Sequence, residues 1–243
     1  MCFAALALVA SPASGSPETS IDIHEEPVGV SESHLFLLRV SDDNLGYHES
    51  KRVEVFLVAI DWETGDEQAT LIDRFVKSAD YGSDGDYQGY SIKRDSEVEP
   101  KSPHQILVSR GAVPWLAAHR PVSVEVPPQI SADIEAIRVR FGQNQPYQIS
   151  RAAIQRQLDR QRAFMASNVA DHPRSSTMTT RQYFEDRQIS ASDCRPDRLL
   201  NFWVPDRTKL SFLMRVICAA DDDGNQTSLV VQLQTASDDE ADQ

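Results

Sequence analysis

The sequence predicts an α+β protein, mainly β, in which an antiparallel sheet or sandwich carries one substantial helix over residues 150–168 and a C-terminal hairpin. Three observations carry this expectation. Short runs rich in β-branched and aromatic residues recur between Pro, Gly and Asp; one long stretch lacks both Gly and Pro; and after residue 198 the chain returns to β-type sequence.

At the N-terminus, Cys2 to Ala10 (CFAALALVA) is an uncharged apolar run of nine residues followed by the turn-prone SPASGSP. That length suits the hydrophobic region of a secretory signal and falls short of the ~20 residues a membrane span needs. Ser11, Pro12 and Ala13 supply a small-x-small cleavage site, so residues 1–13 are expected to be a signal peptide and the mature chain to start at Ser14. No Lys or Arg precedes the run, the one element of such a signal that is missing. No other segment of the sequence suits a transmembrane span, so the expected location is periplasmic or secreted.

Residues 14–33 are polar, contain Pro17 and Pro27, and read as an extended lead-in. Residues 34–235 read as a single mainly β domain with an inserted helix, its natural point of subdivision near 142–150. His34 to Val40 and Arg52 to Trp62 are apolar runs separated by a loop with Asn44 and Gly46, the pattern of a hairpin. Ala69 to Val76 suits a strand or a short helix equally. Further strands are expected at Gln88 to Lys93, Gln105 to Ser109, Val122 to Val126 and Ile134 to Phe141, with Pro114, Pro121, Pro127 and Pro128 at their joints.

The helix is the clearest element. Ser150 is suited to N-capping, and Ile154, Leu158, Met165 and Val169 fall at helical spacings. Arg156 and Arg160 lie opposite that stripe with Arg151 and Arg162 at its flanks, whereas Gln161 falls on the stripe and is expected to weaken its packing. A short helix around Arg181 to Arg187 follows. Strands at Leu199 to Val204, Lys209 to Ala219 and Thr227 to Thr235 come next, the last two joined by the acidic turn ADDDGN, before an acidic tail at 236–243.

Charge is unevenly placed. The net charge is -13, yet Ala136 to Arg215 holds 14 Lys and Arg against 7 Asp and Glu, a local +7. One consequence is self-neutralisation, the cationic segment folding against the acidic remainder. The other is an anionic-ligand patch of Arg151, Arg156, Arg160 and Arg162 for a polysaccharide, a lipid head group or an envelope protein, since the guanidinium fork matches carboxylate and phosphate. A nucleic-acid partner is disfavoured by the overall negative field and the lack of a binding motif.

Other chemistry is sparse. With the leader removed, Cys194 and Cys218 remain, an even number that in an oxidising space predicts a disulfide; the rival is a buried thiol at Cys218 within an apolar run. Asp80, Asp84 and Asp86 give a weak calcium candidate, because an EF-hand register starting at Asp80 puts Gly82 and Ser91 where strong oxygen ligands belong. No other cofactor is implied. Six scattered histidines include no HExxH pair, and GxSxG and GxxxxGK[ST] are both absent. Trp62, Trp115 and Trp203 with Tyr81, Tyr87 and Tyr90 are the residues for a sugar-stacking platform, against the more common partial burial at sheet edges. The expected function is an exported, non-catalytic envelope or secreted binding or structural protein. The alternative is an extracytoplasmic hydrolase whose site is assembled from distant residues.

Overall fold

A strand whose odd and even positions are both apolar needs cover on both faces, and Phe56 to Ala59 receives it, all four side chains being buried. The strand containing them lies inside a large mixed sheet. The computed structural model describes residues 20–44, 50–118, 127–172, 179–203, 210–219 and 226–235; the signal-like segment, the expected strand at 122–126, the acidic turn at 220–225 and the tail lie outside these.

The strands are β1 (Ile21–Val30), β2 (His34–Asp43), β3 (Ser50–Asp61), β4 (Glu67–Tyr81), β5 (Tyr87–Arg94), β6 (Val113–Pro114), β7 (Gln129–Ala132), β8 (Ala136–Arg140), β9 (Tyr147–Ser150), β10 (Cys194–Trp203), β11 (Leu210–Ala219) and β12 (Gln226–Thr235). The helices are α1 (Pro103–Ser109), α2 (Trp115–Ala118), α3 (Arg151–Asn168) and α4 (Thr180–Asp186). The main sheet path runs β5-β4-β3-β2-β1-β12-β9-β8-β7, and β10-β11 continues from β12. The mainly β architecture, the substantial helix and the C-terminal hairpin are as the sequence predicts.

Two faces are covered differently. Phe36, Leu57, Ala59 and Ile72 pack under Leu107 of α1, while Ile21, Ile23, Phe56 and Val58 pack under Met165, Val169 and Phe184 near α3 and α4. A third cluster joins Ile154 and Leu158 of α3 to Ile137, Ile149, Met214, Leu229 and Val231. The Ser150 hydroxyl accepts the Ala153 amide at 3.2 Å, so α3 starts at the N-cap its sequence marks.

Two expectations change and one open choice is decided. Residues 14–33 are not simply a lead-in, because Ile21–Val30 forms a strand paired with β2 on one side and β12 on the other. Its polar look comes from Glu25, which is buried but ion-paired. Gln105 to Ser109 is helical, not a strand: Ser102 caps Gln105 and Pro103 occupies the first turn, where its missing amide costs nothing. Ala69 to Val76 resolves as strand within β4. The sheet also contains one parallel pair, β1 with β12, which no local pattern announces.

Candidate functional site

The site begins where β1 and β12 part. Their parallel register is recorded at Ile23 and Thr227, and beyond that point side chains replace ladder bonds. The Glu25 amide donates to Ser228 Oγ at 2.9 Å, and the Val230 amide donates to the Glu25 carboxylate at 3.0 Å. Arg39 donates through Nε to Glu25 at 2.8 Å and through its other nitrogens to Glu67 at 2.7 and 3.1 Å. Glu25 and Arg39 are 2% and 1% exposed, so each charge depends on the other for its solvation. The Phe164 ring of α3 lies 4.7 Å from the guanidinium carbon of Arg39.

Gln161 closes this latch. Its amide nitrogen donates to Glu25 at 2.8 Å and to the Ser228 carbonyl at 3.2 Å, with the residue 1% exposed. The expectation that Gln161 weakens the α3 seam is therefore corrected: on the buried stripe it is the polar group that satisfies a divided sheet.

Beside the latch lies a cleft of about 740 Å³. Its walls are the exposed side of α3, the β3–β4 turn, β8–β9 and the end of β12. On the floor Gln234, Gln148 and Arg138 stand in one cross-strand row, set by the registers of β12 with β9 and β9 with β8. Gln232 precedes Gln234 by two positions and so shares its face. The turn wall is built on Asp61, whose Oδ1 accepts the amides of Glu63 and Thr64 at 2.8 and 2.9 Å. Those amides hold the Asp61 carboxyl below its usual range. Gly65 has φ +71°, the left-handed conformation that favours glycine, and it leaves room for the Arg160 guanidinium beside it.

The four arginines separate by role. Arg151 donates to the carbonyls of Asp133, Ala191 and Cys194 at 2.9, 2.8 and 2.8 Å, tying the start of α3 to the neighbouring chain. Arg162 donates to the Arg187 carbonyl at 3.1 Å. Arg160 lines the cleft but donates to the Gly65 carbonyl at 2.9 Å. Arg156 is exposed, lines the cleft, and has no ion pair or side-chain hydrogen bond among the described residues. Arg138 on the floor is paired with Asp133 and Glu135. The four do not form one patch; Arg156 and Arg160 share the cleft and the other two brace the fold.

No known protein family, curated protein or solved structure matches this chain. Chemistry must be read from the side chains. Among the described residues no His or Cys lines the cleft, and its Asp61 is held on the ionised side, the reverse of what a general acid requires. Asp80 is the penultimate residue of β4 while Asp84 and Asp86 belong to the β4–β5 turn, and among the described residues no group of three His, Cys, Asp or Glu is placed to hold a metal ion. Tyr81, Tyr87 and Tyr90 are 48%, 54% and 56% exposed on that hairpin, but adjacent rings meet edge to face at 69° and 72°, so they do not make a flat platform. Trp62 is instead a wall of the cleft, its indole nitrogen donating to the Ser31 carbonyl at 3.1 Å.

Cys194 and Cys218 are joined in a disulfide directly across the β10–β11 ladder. Both residues also belong to the main core cluster, so Cys218 is buried as a half-cystine and not as the free thiol of the rival reading.

A second polar cluster lies by the end of α3. Buried Glu54 accepts a hydrogen bond from Arg74 Nε and contacts from the Ala170 amide at 3.2 and 3.3 Å, while Arg52 stands 3.8 Å from it. Burial pushes the Glu54 carboxyl above its ordinary value, against the pull of Arg74 and Arg52. His172 faces the same arginines and also Asp171 and Asp95; burial first, then Arg52 and Arg74, hold its imidazole below the ordinary 6.5. Below pH 6.5 the unfolded chain accepts a proton that folded His172 refuses, so its contribution is full above that pH and declines as pH falls toward the folded value. Glu54 has the opposite sign: its contribution is full below 4.5 and lost as pH rises through its folded value. His172→Gln is therefore expected to flatten the decline in unfolding free energy just below pH 6.5. Superimposable wild-type and variant curves from denaturant titrations would dismiss the assignment.

Proposed function

We propose that the protein is an exported, non-catalytic envelope or secreted binding protein, and that the cleft beside α3 takes an anionic ligand on Arg156. The observation that carries this is an unpaired guanidinium facing a polar cleft of about 740 Å³, a volume within the ~300–1,000 Å³ common for small-molecule sites. The other cleft-lining cations already have partners, so Arg156 is the one available to an incoming carboxylate or phosphate. The disulfide is compatible with an oxidising compartment and thus supports export. Among the described residues no helix is long and apolar enough to cross a membrane. A hydrolase reading gains no support from the cleft, which among the described residues has no histidine and holds Asp61 as an anion.

A charge-assisted hydrogen bond contributes ~1.5–3 kcal/mol, so Arg156→Glu is expected to weaken an anionic ligand by about 10-fold or more. Calorimetric titration of carboxylate- and phosphate-bearing compounds with both proteins checks this. Equal affinities for every anion that binds would remove Arg156 from the site. The thermal midpoint should stay close to wild type, because the side chain is exposed.

A further inference from the structure

We infer that the ligand of this cleft is an acidic saccharide: a polyhydroxylated chain bearing carboxylates, not a phosphate or a bare organic acid. The inference rests on the reading of the cleft as an anion-binding site and adds what surrounds the anion. Four glutamines line the cleft; Gln148 is already engaged within the protein, which leaves Gln232 and Gln234 from the sheet and Gln157 from α3 for a ligand. Each amide carries an acceptor oxygen and a donor nitrogen. A sugar hydroxyl both donates and accepts, and neighbouring hydroxyls match a row of such amides. Phosphate and sulfate, fully ionised, accept only, and so use the amide nitrogens while leaving the amide oxygens without a donor.

Charge points the same way. Asp61, Glu63 and Glu135 stand at the walls, and Asp61 is firmly ionised. A dense polyanion meets repulsion there, whereas hydroxyls can donate to these carboxylates. Arg156 remains for one ligand carboxylate at a time. Trp62, fixed through its indole nitrogen, offers an apolar ring edge or face to the C–H surface of a sugar. A floor of glutamines and arginine excludes an acyl chain.

The test titrates the full chain calorimetrically with short galacturonate, guluronate and hyaluronan fragments, with the methyl ester of the galacturonate fragment, with propionate, and with inositol hexakisphosphate. At least one acidic fragment is expected to bind, more tightly than propionate and inositol hexakisphosphate. The ester should bind at least about tenfold more weakly than its parent acid if that acid is the one bound. Gln232→Leu and Gln157→Leu, on separate elements, should each weaken the acidic fragment severalfold while melting like wild type. Stronger binding of inositol hexakisphosphate or propionate, lost in Arg156→Glu, would overturn the saccharide and leave the anion site standing. Undiminished binding of the ester of a bound acid would keep a saccharide but overturn its acidic character and the role of Arg156. Acidic fragments bound equally by both glutamine variants would overturn the amide row. Failure of every probe to bind would overturn this inference and the anion-binding reading beneath it.

Discussion

Arg39→Met is expected to lower the unfolding free energy by about 3–5 kcal/mol, the usual cost of leaving a buried charge without its partner. The substitution keeps most of the aliphatic volume under Phe164 but strands Glu25, which is 2% exposed and whose second oxygen already serves the Val230 amide. Only the uncharged Gln161 side chain and Val230 amide then donate to the carboxylate. Denaturant unfolding followed by far-ultraviolet circular dichroism measures the loss. A companion Glu25→Gln, Arg39→Met double variant separates the two contributions: it should recover part of the deficit, since the stranded charge is gone. A single variant as stable as wild type would mean that the latch does not hold the two halves of the sheet together.

Removing the disulfide as Cys194→Ala with Cys218→Ala is expected to cost about 3.5 kcal/mol, from the closure entropy of a loop of sequence separation 24. Core packing adds to the effect, since both residues are buried against Ile154, Met214 and Leu229. Protein recovered through a native export route should refuse thiol reagents after denaturation without reductant, and its intact mass should correspond to a chain starting at Ser14. Three reactive thiols, Cys2 among them, on an intact Met1 would defeat both the bond and the export reading.

Local pattern and tertiary context divide the legibility of this chain. The helix at 151–168 was readable because its cap, its apolar spacing and its freedom from Gly and Pro all agree. The cysteine pair was readable from parity and compartment. β1 was misread because Glu25 and Arg39 look like surface residues unless their partners are known, and those partners lie on β2, β4, α3 and β12. The same blindness applied to Gln161. Arg156 was visible as a cation opposite the apolar stripe, but nothing along the chain told it apart from Arg151, Arg160 and Arg162, which are engaged by backbone carbonyls distant in sequence. The glutamine row left a faint trace: in β12, Gln232 and Gln234 alternate with Val231 and Leu233. That alternation marks a polar face without saying that a cleft opens over it.

The pairing of β1 with β12 has a kinetic meaning. Glu25 and Ser228 meet across 203 sequence positions, so the central seam forms only after nearly the whole polypeptide is free to search for itself. Until then β1 carries an open edge and Glu25 lacks two of the groups that solvate it. Such a chain is expected to mature slowly and as a unit, and in the interval the waiting edge is open to pairing with other chains.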